Sequence, residues 1–419
     1  MKRFVFVLLS LLISTQPLYA ATDLTLDEAL GTALKNHPQV IEAKENLNGA
    51  EAKTGQALAN YYPQINLTAD WIRGQTYFPA QETIKISETN TASLYLKQTI
   101  YDFGRTAGVV EAARGNREAA DNTLAVTRQD LTLRVRVAFY LVLALEKQVQ
   151  AVRENVKARE EVFRQAQEFF TQGIRARVDV ARSEANFFAA KTNLIRAESN
   201  REIARVELAN AMGIASLGEH TPVATSSVLL SLPERNSLQQ DALRNRAELQ
   251  QFAAMKSAAS GNLTSAKSSY LPILSGVANI GYADRDFPPT GNVWGVGLNL
   301  TVPLFSGFSS VEQVREATAA MNSIEARQNN LKLQIIKEVE SAWFGGNDAA
   351  GRIVSTQKEV DAANESKSLA EGRYQEGIGS IIEVTDAQSQ TLDAQTANIQ
   401  AKFDYYTALA RLDRAVGKQ

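Results

Sequence analysis

The chain has 419 residues, a formal net charge of -2, two histidines and no cysteine. The near-neutral balance gives nucleic acid no electrostatic footing. Without thiols there can be no disulfide, thiolate metal site, cysteine nucleophile or lipid anchor on an N-terminal cysteine.

Residues 1–20 read as an export signal. Lys2 and Arg3 precede an apolar run, Phe4 to Ile13, broken only by Ser10, and Leu18-Tyr19-Ala20 puts a small residue at a cleavage site. The apolar run is too short for a spanning helix, which needs about 20 residues. Nothing after it resembles a transmembrane helix. The mature protein is therefore expected to be soluble outside the cytoplasm or to enter a membrane as a barrel.

Beyond the signal the chain repeats itself, with residues 21–213 and 237–419 as two copies and 214–236 as connector. Ala138-Phe139-Tyr140 matches Ala342-Trp343-Phe344 at a shift of 204, and Phe170-Thr171-Gln172-Gly173-Ile174 matches Tyr374-Gln375-Glu376-Gly377-Ile378 at the same shift. Nearer the N-terminus the shift is 209, pairing Ala33–Asn36 with Ala242–Asn245 and Tyr61 and Pro63 with Tyr270 and Pro272. One loop between Pro63 and Thr99 is thus longer in the first copy.

Each copy opens on a helix of about 35 residues. It ends near Tyr62-Pro63 or Leu271-Pro272, because proline disfavours helix in the residue before it. Two strands follow, at about 65–74 and 92–101, then at about 273–282 and 293–302. Trp294, Val296, Leu298, Leu300 and Val302 alternate with Gly295, Gly297, Asn299 and Thr301, a period of two. Leu94, Leu96 and Ile100 alternate with Ser93, Tyr95, Lys97 and Thr99. These lengths fit tilted membrane strands of about 9–11 residues; a soluble hairpin with one buried face fits the alternation equally. Pro79 and Pro288-Pro289 mark the tips.

A long helix then begins near Arg105 or Ser309. In the first copy Leu131, Val135, Ala138, Val142, Leu145, Val149, Val152 and Val156 form a heptad seam, which Phe163 and Phe170 continue. A helix over 105–171 is about 100 Å long at 1.5 Å per residue. The second copy keeps the register through Ile335, Val339, Ala342, Ala349, Ile353 and Val360, with Gly345-Gly346 as an expected weak point. Tight turns at Gly173 and Gly377 reverse the chain into a last helix, ending at Gly213 or Gly417.

Such helices cannot fold into a compact domain, for which about 400 residues give a radius near 20 Å. They build a rod or a tube. Four strands cannot close a membrane barrel, whose minimum is about eight. If the hairpins are in a membrane, several chains must share one barrel, and a dimer and a trimer both satisfy this.

Leu24-Thr-Leu-Asp-Glu-Ala-Leu30 with Asn36-His37-Pro38, Tyr62-Pro63-Gln64, Gln98-Thr-Ile-Tyr-Asp-Phe-Gly104 and Val302-Pro-Leu-Phe-Ser-Gly307 resemble the TolC family of outer-membrane efflux proteins. The resemblance covers nearly all of the mature chain. It implies a mainly α fold with a membrane β-barrel contribution: two tandem repeats of helix–β-hairpin–long helix–helix, three copies sharing a 12-stranded barrel in the outer membrane, and an α-helical tunnel crossing the periplasm. It also implies an exit duct that docks to a periplasmic adaptor protein and an inner-membrane transporter. The competing class is a secreted or surface coiled-coil scaffold or adhesin without a pore.

The resemblance also points to residues. Glu383 and Asp386, three apart on one helix face, match the position whose acids ring the periplasmic entrance. Asp179 is the first-copy equivalent, and Tyr374 matches a tyrosine of the closing network. The alternative for Glu383 is a capping box with Ser380. Where the family often has an arginine this chain has Gly379, leaving Arg175 or Arg177 to supply the lock between helices. The turns at Gly173-Ile174 and Gly377-Ile378 resemble adaptor-docking tips; a tight turn needing glycine is the plainer reading. His37 and His220 lie in an early helix and in the connector, and His37, before Pro38, is expected at the surface. No catalytic set, phosphate loop or metal-ligand spacing stands out, so neither enzyme activity, cofactor nor metal is expected.

Overall fold

The computed structural model describes residues 23–223 and 232–418. The export signal and residues 224–231 of the connector lie outside the described residues.

The first copy contains β1 (Asp23–Leu24), α1 (Leu26–Asn36), α2 (Pro38–Leu58), β2 (Gln64–Phe78), β3 (Thr83–Tyr101), α3 (Arg105–Thr171) and α4 (Arg177–Met212). The connector adds β4 (Thr221–Pro222), which pairs in parallel with β1. The second copy contains α5 (Arg235–Asn245), α6 (Ala247–Lys267), β5 (Ile273–Asp284), β6 (Gly291–Thr301), α7 (Ser309–Gln375) and α8 (Ile381–Ala415). Both copies thus run helix pair, hairpin, 67-residue helix, return helix.

Three expectations are corrected. The opening helix of each copy is not one rod of about 35 residues. It breaks after 11 residues, at His37 (φ -67°, ψ 128°) and at Arg246 (φ -65°, ψ 121°). Pro38 explains the first break, since it drives the preceding residue out of helix; Arg246 lacks a following proline, and its buried side chain pairs with Glu248 and Glu338. The Gly345-Gly346 pair does not interrupt α7. A glycine costs a helix about 1 kcal/mol, and the buried seam of Val339, Ala342, Ala349 and Ile353 on either side outweighs it. Finally, Phe170 is 44% exposed, and the buried line moves to Val162 and Ala166. A strict seven-residue repeat drifts around a 3.6-residue helix, and the seam steps back one residue.

The chain forms two compact units, and neither coincides with a sequence copy. One takes the described residues of Pro38–Asp130, Leu232–Phe344 and Arg411–Gln419. It holds an antiparallel sheet of order β2-β3-β5-β6, in which β3 and β5 join the two copies. β2 and β3 extend well past the expected strands, because 83–91 is rich in Thr, Ile and Ser and offers no breaker. The pairing register divides the sheet into two faces. One carries Ile65, Leu67, Trp71, Leu94, Ile280, Trp294, Val296, Leu298 and Leu300, all exposed. The other carries Asn66, Thr68, Asp70, Ser93, Lys97, Asn279 and Asn299.

In the same unit α3 meets α6 through small residues. A Cβ on Gly115 would fall 2.5 Å from the Ala258 nitrogen, and one on Gly108 2.5 Å from the Gly261 oxygen. Leu238, Ala242, Ile335, Val339, Ala342, Leu412, Ala415 and Val416 form its helical core.

The other unit takes the described residues of Met1–His37, Leu131–Ser231 and Gly345–Ala410. Its long helices lie side by side in the order α4-α3-α8-α7. Phe187 stacks on Phe163 at 6.0 Å, joining α4 to α3. Tyr140 stacks on Tyr406 at 4.8 Å, and Asn155 donates to the Gln388 carbonyl, joining α3 to α8. Tyr405 packs with Ala349 and Ile353, and Asn398 donates to Thr356 Oγ1, joining α8 to α7.

Candidate functional site

The chain reverses twice in this second unit, between α3 and α4 and between α7 and α8. The two turns are built alike. Gly173 (φ 72°) and Gly377 (φ 75°) are left-handed, and nothing lies within 4 Å of where their Cβ would be. Backbone conformation, not space, requires glycine at both. The Ile174 nitrogen donates to the Phe169 carbonyl and the Gly173 nitrogen to Phe170; Ile378 and Gly377 repeat this on Arg373 and Tyr374. Each is a Schellman turn. Ile174 and Ile378 stand 54% and 74% exposed at the ends.

Gly379 is glycine for a different reason. It is buried, and a Cβ there would fall 2.8 Å from the Tyr374 nitrogen and 2.9 Å from the Arg373 carbonyl carbon. An arginine cannot replace it in this turn. Arg175 reaches across from the other turn instead, donating through Nη2 to the Gly377 carbonyl at 2.9 Å and to the Gly379 carbonyl at 2.5 Å. Arg177, the first residue of α4, is exposed.

Tyr374 does not share the exposed face of Glu383 and Asp386. It is fully buried, among Val162, Ala166, Ala370, Ile381, Val384 and Ala387. Its ring lies 5.7 Å from that of Phe169, and the Arg175 guanidinium sits 5.7 Å from its centroid. Burial, reinforced by the Asp179 charge and opposed by Arg175, pushes the Tyr374 hydroxyl above the usual tyrosine value. Asp179 in the first turn of α4 is therefore close enough to be felt by Tyr374.

Glu383 and Asp386 are both exposed on α8. The Glu383 carboxylate lies 3.5 Å from Arg373 Nε. Ser380 Oγ accepts from the Ile382 nitrogen at 3.2 Å, so Ser380 caps α8. Asp386 faces Arg159 of α3. Burial lowers the Arg159 pKa and the Asp386 charge opposes that shift; the same guanidinium donates to Ser389 Oγ at 2.8 Å. Each acid thus has an arginine near it, Arg373 or Arg159, and the sequence reading missed both. No local spacing announces them, since they come from other helices than the acids they face.

His37 is 7% exposed, which corrects its expected surface position. It is enclosed because the return helix α4 ends on it: a Cβ on Gly213 would meet the His37 Cα at 2.9 Å. Among the described residues no cluster of histidine and acidic side chains could hold a metal ion, and no helix is long and apolar enough to cross a membrane.

Comparison with known proteins adds four findings. The model of a family described as outer membrane efflux protein matches residues 29–214 and 238–418. The outer membrane protein TolC of Vibrio cholerae is 24% identical over 408 residues, covering 94% of this chain and 90% of that protein. The alkaline protease secretion protein AprF of Pseudomonas aeruginosa is 23% identical, covering 91% of this chain and 82% of its own length. Among solved structures, the outer membrane protein VceC of Vibrio cholerae superposes with a TM-score of 0.83 at 20% identity, over 94% of this chain and 96% of that one.

Proposed function

The chain belongs to the outer membrane efflux protein family and is an outer-membrane channel, not an enzyme; from that premise we propose that it works as a homotrimer, the exit duct of a tripartite pump or a type I secretion system, docked to a periplasmic adaptor protein and an inner-membrane transporter. The observation that carries the reading is the pair of unclosed edges on the sheet. Among the described residues β2 and β6 each have one neighbour, and one face of the sheet carries the exposed apolar side chains. Lipid tolerates no open edge, and four strands are too few to close alone. Three copies give the 12 strands expected.

The helical ribbon points the same way. Its outer members carry exposed apolar residues: Val178, Phe188, Ile195, Ile203 and Val206 on α4, Val354 and Leu369 on α7. The edge α4 of one copy against the edge α7 of the next is a head-to-tail contact, which builds a ring when its rotation closes. The name of AprF associates that relative with protease secretion, and the family description speaks of efflux. Both transports fall within the proposal.

In this reading the two turns form the periplasmic mouth. Gly173-Ile174 and Gly377-Ile378 are the docking tips, Glu383 and Asp386 ring the pore, and Asp179 and Tyr374 belong to the closing network. Arg175 is the lock. Like charges brought together by symmetry attract counter-ions. In planar bilayers, hexamminecobalt added on the periplasmic side is expected to block conductance. Glu383→Gln with Asp386→Asn should weaken that block and leave assembly intact. Block equal to wild type in the double variant would remove both acids from the pore.

A further inference from the structure

Gln98–Gly104 and Val302–Gly307 lie where the sheet gives way to the long helices α3 and α7. The two junctions are built alike. At the shift of 204, Ile100, Tyr101, Phe103 and Gly104 correspond to Leu304, Phe305, Gly307 and Phe308. Asp102 accepts from the Thr106 nitrogen at 2.8 Å and Ser306 Oγ from the Ser310 nitrogen at 3.4 Å, so equivalent residues cap the two helices. Two successive residues are left-handed at each junction: Phe103 (φ 55°) with Gly104 (φ 92°), and Gly307 (φ 61°) with Phe308 (φ 66°). A phenylalanine rarely adopts that backbone, and such strain persists only where the surroundings hold it.

The apolar face of the sheet runs on into both junctions. On β6 it carries Leu298 and Leu300, and exposed apolar residues continue at the same spacing through Val302 to Leu304. On β3 a bulge between Thr99 and Tyr101 re-aims the chain: Leu96 faces Ala278 before it, and Tyr101 faces Leu274 after it. Leu274 in turn pairs with Leu300, which puts Tyr101 on the apolar face. Ile100 joins it, with Cδ1 3.5 Å from where a Cβ would stand on Gly276, the partner of Leu298. Two ring pairs complete the surface. Tyr101 meets Phe103 edge-on at 4.6 Å, and Phe305 meets Phe308 edge-on at 5.6 Å.

The first copy indicates what covers these residues. There β5 already lies beside β3, and Ser268 Oγ donates to the Phe103 carbonyl at 2.9 Å, yet Ile100 and Tyr101 keep 53% and 57% exposure. Leu304 and Phe305 are 92% and 78% exposed. A second chain seated on β6 as β5 sits on β3 would bring them toward the first-copy values and would not bury them. We propose that the two junctions, Ile100–Phe103 and Leu304–Phe308, are feet that insert into the phospholipid leaflet on the helical side of the membrane. This rests on the outer-membrane channel reading and adds a lipid contact outside the strands. Aromatic and apolar side chains suit the boundary between headgroups and acyl chains. The feet hold the starts of α3 and α7 against the bilayer, and the left-handed phenylalanines keep their rings at that surface.

The chain has no cysteine, so single introduced cysteines can carry a nitroxide spin label. Phe305→Cys and Ile100→Cys read the feet, Leu298→Cys the lipid face of the strands, and Asn330→Cys, exposed on α7, the water. The labelled full chain is reconstituted in vesicles of phosphatidylethanolamine and phosphatidylglycerol. Its collisions with oxygen, which concentrates in lipid, are compared with those of a neutral nickel chelate, which stays in water. At Phe305 and Ile100 the ratio of oxygen to nickel collisions should exceed that at Asn330 several-fold and fall below that at Leu298. A water-like ratio at either foot, with Leu298 lipid-like, overturns the feet and leaves the channel standing. Few collisions with both reagents mean that protein covers the junction, which overturns them equally. A water-like ratio at Leu298 as well takes down the channel reading and the feet with it. If Phe305→Cys does not assemble, Leu304→Cys reads the same foot.

Discussion

Arg175 ties the two turns together by donating to backbone carbonyls. Gly379 has no room for a side chain, so the contact between the two turns runs from the α3–α4 side to backbone carbonyls on the α7–α8 side. A hydrogen bond from a charged group contributes roughly 1.5–3 kcal/mol, and Arg175→Ala removes the donor of both bonds at once. That variant is expected to form channels of higher resting conductance with unchanged assembly. Arg175→Lys, a point charge without the planar fork, should restore the closed level only in part. Single-channel recording distinguishes the two, and a closed level in the alanine variant equal to wild type would take the lock away from Arg175.

Among the elements, the hairpins carry the sharpest contrast between adjacent residues. Leu298 and Asn299 are neighbours on β6, yet the register puts them on opposite faces of the sheet. Leu298 sits on the apolar face, 74% exposed in the single chain. An arginine on the lipid face costs about 2–4 kcal/mol at the membrane midplane, whereas lumen positions accept charge. Leu298→Arg should therefore lower the yield of assembled protein in outer-membrane fractions, and Asn299→Arg should not. Equal yields would reverse or remove the lipid assignment. This contrast was legible in the sequence, because a period of two needs no tertiary information. The extension of β2 and β3 beyond the expected strands was less so, since Thr, Ser and Ile over 83–91 carry no clean alternation.

At the scale of the whole molecule, the proposed trimer rests on two kinds of unpaired border. The sheet ends in two open edges, and the helical ribbon ends in two apolar stripes. Apolar area removed from water contributes about 25 cal/mol per Å², so the stripes alone disfavour a free monomer. Mass measurement in mild detergent is expected to give three times the mature chain. A stable folded monomer there would contradict the shared barrel. The two compact units do not follow the two sequence copies, because the 67-residue helices α3 and α7 each contribute to both. Repetition in sequence therefore describes how the chain is written, while cohesion follows which segments lie side by side.

The sequence by itself determined the order of elements, the doubling, the faces of the hairpins and the places where the chain turns back. These depend on local rules: a period of two or of three and a half, a proline that ends a helix, a glycine that accepts positive φ. Only the tertiary structure decided which charges meet. His37 is buried rather than exposed, Tyr374 lies under Arg175 rather than beside Glu383, and Arg246 bends its helix without a proline. Each outcome depends on a partner far away in the chain, Gly213 for His37, Arg175 for Tyr374 and Glu338 for Arg246. Such partners come together through packing of whole helices, and no local pattern in either segment encodes the meeting.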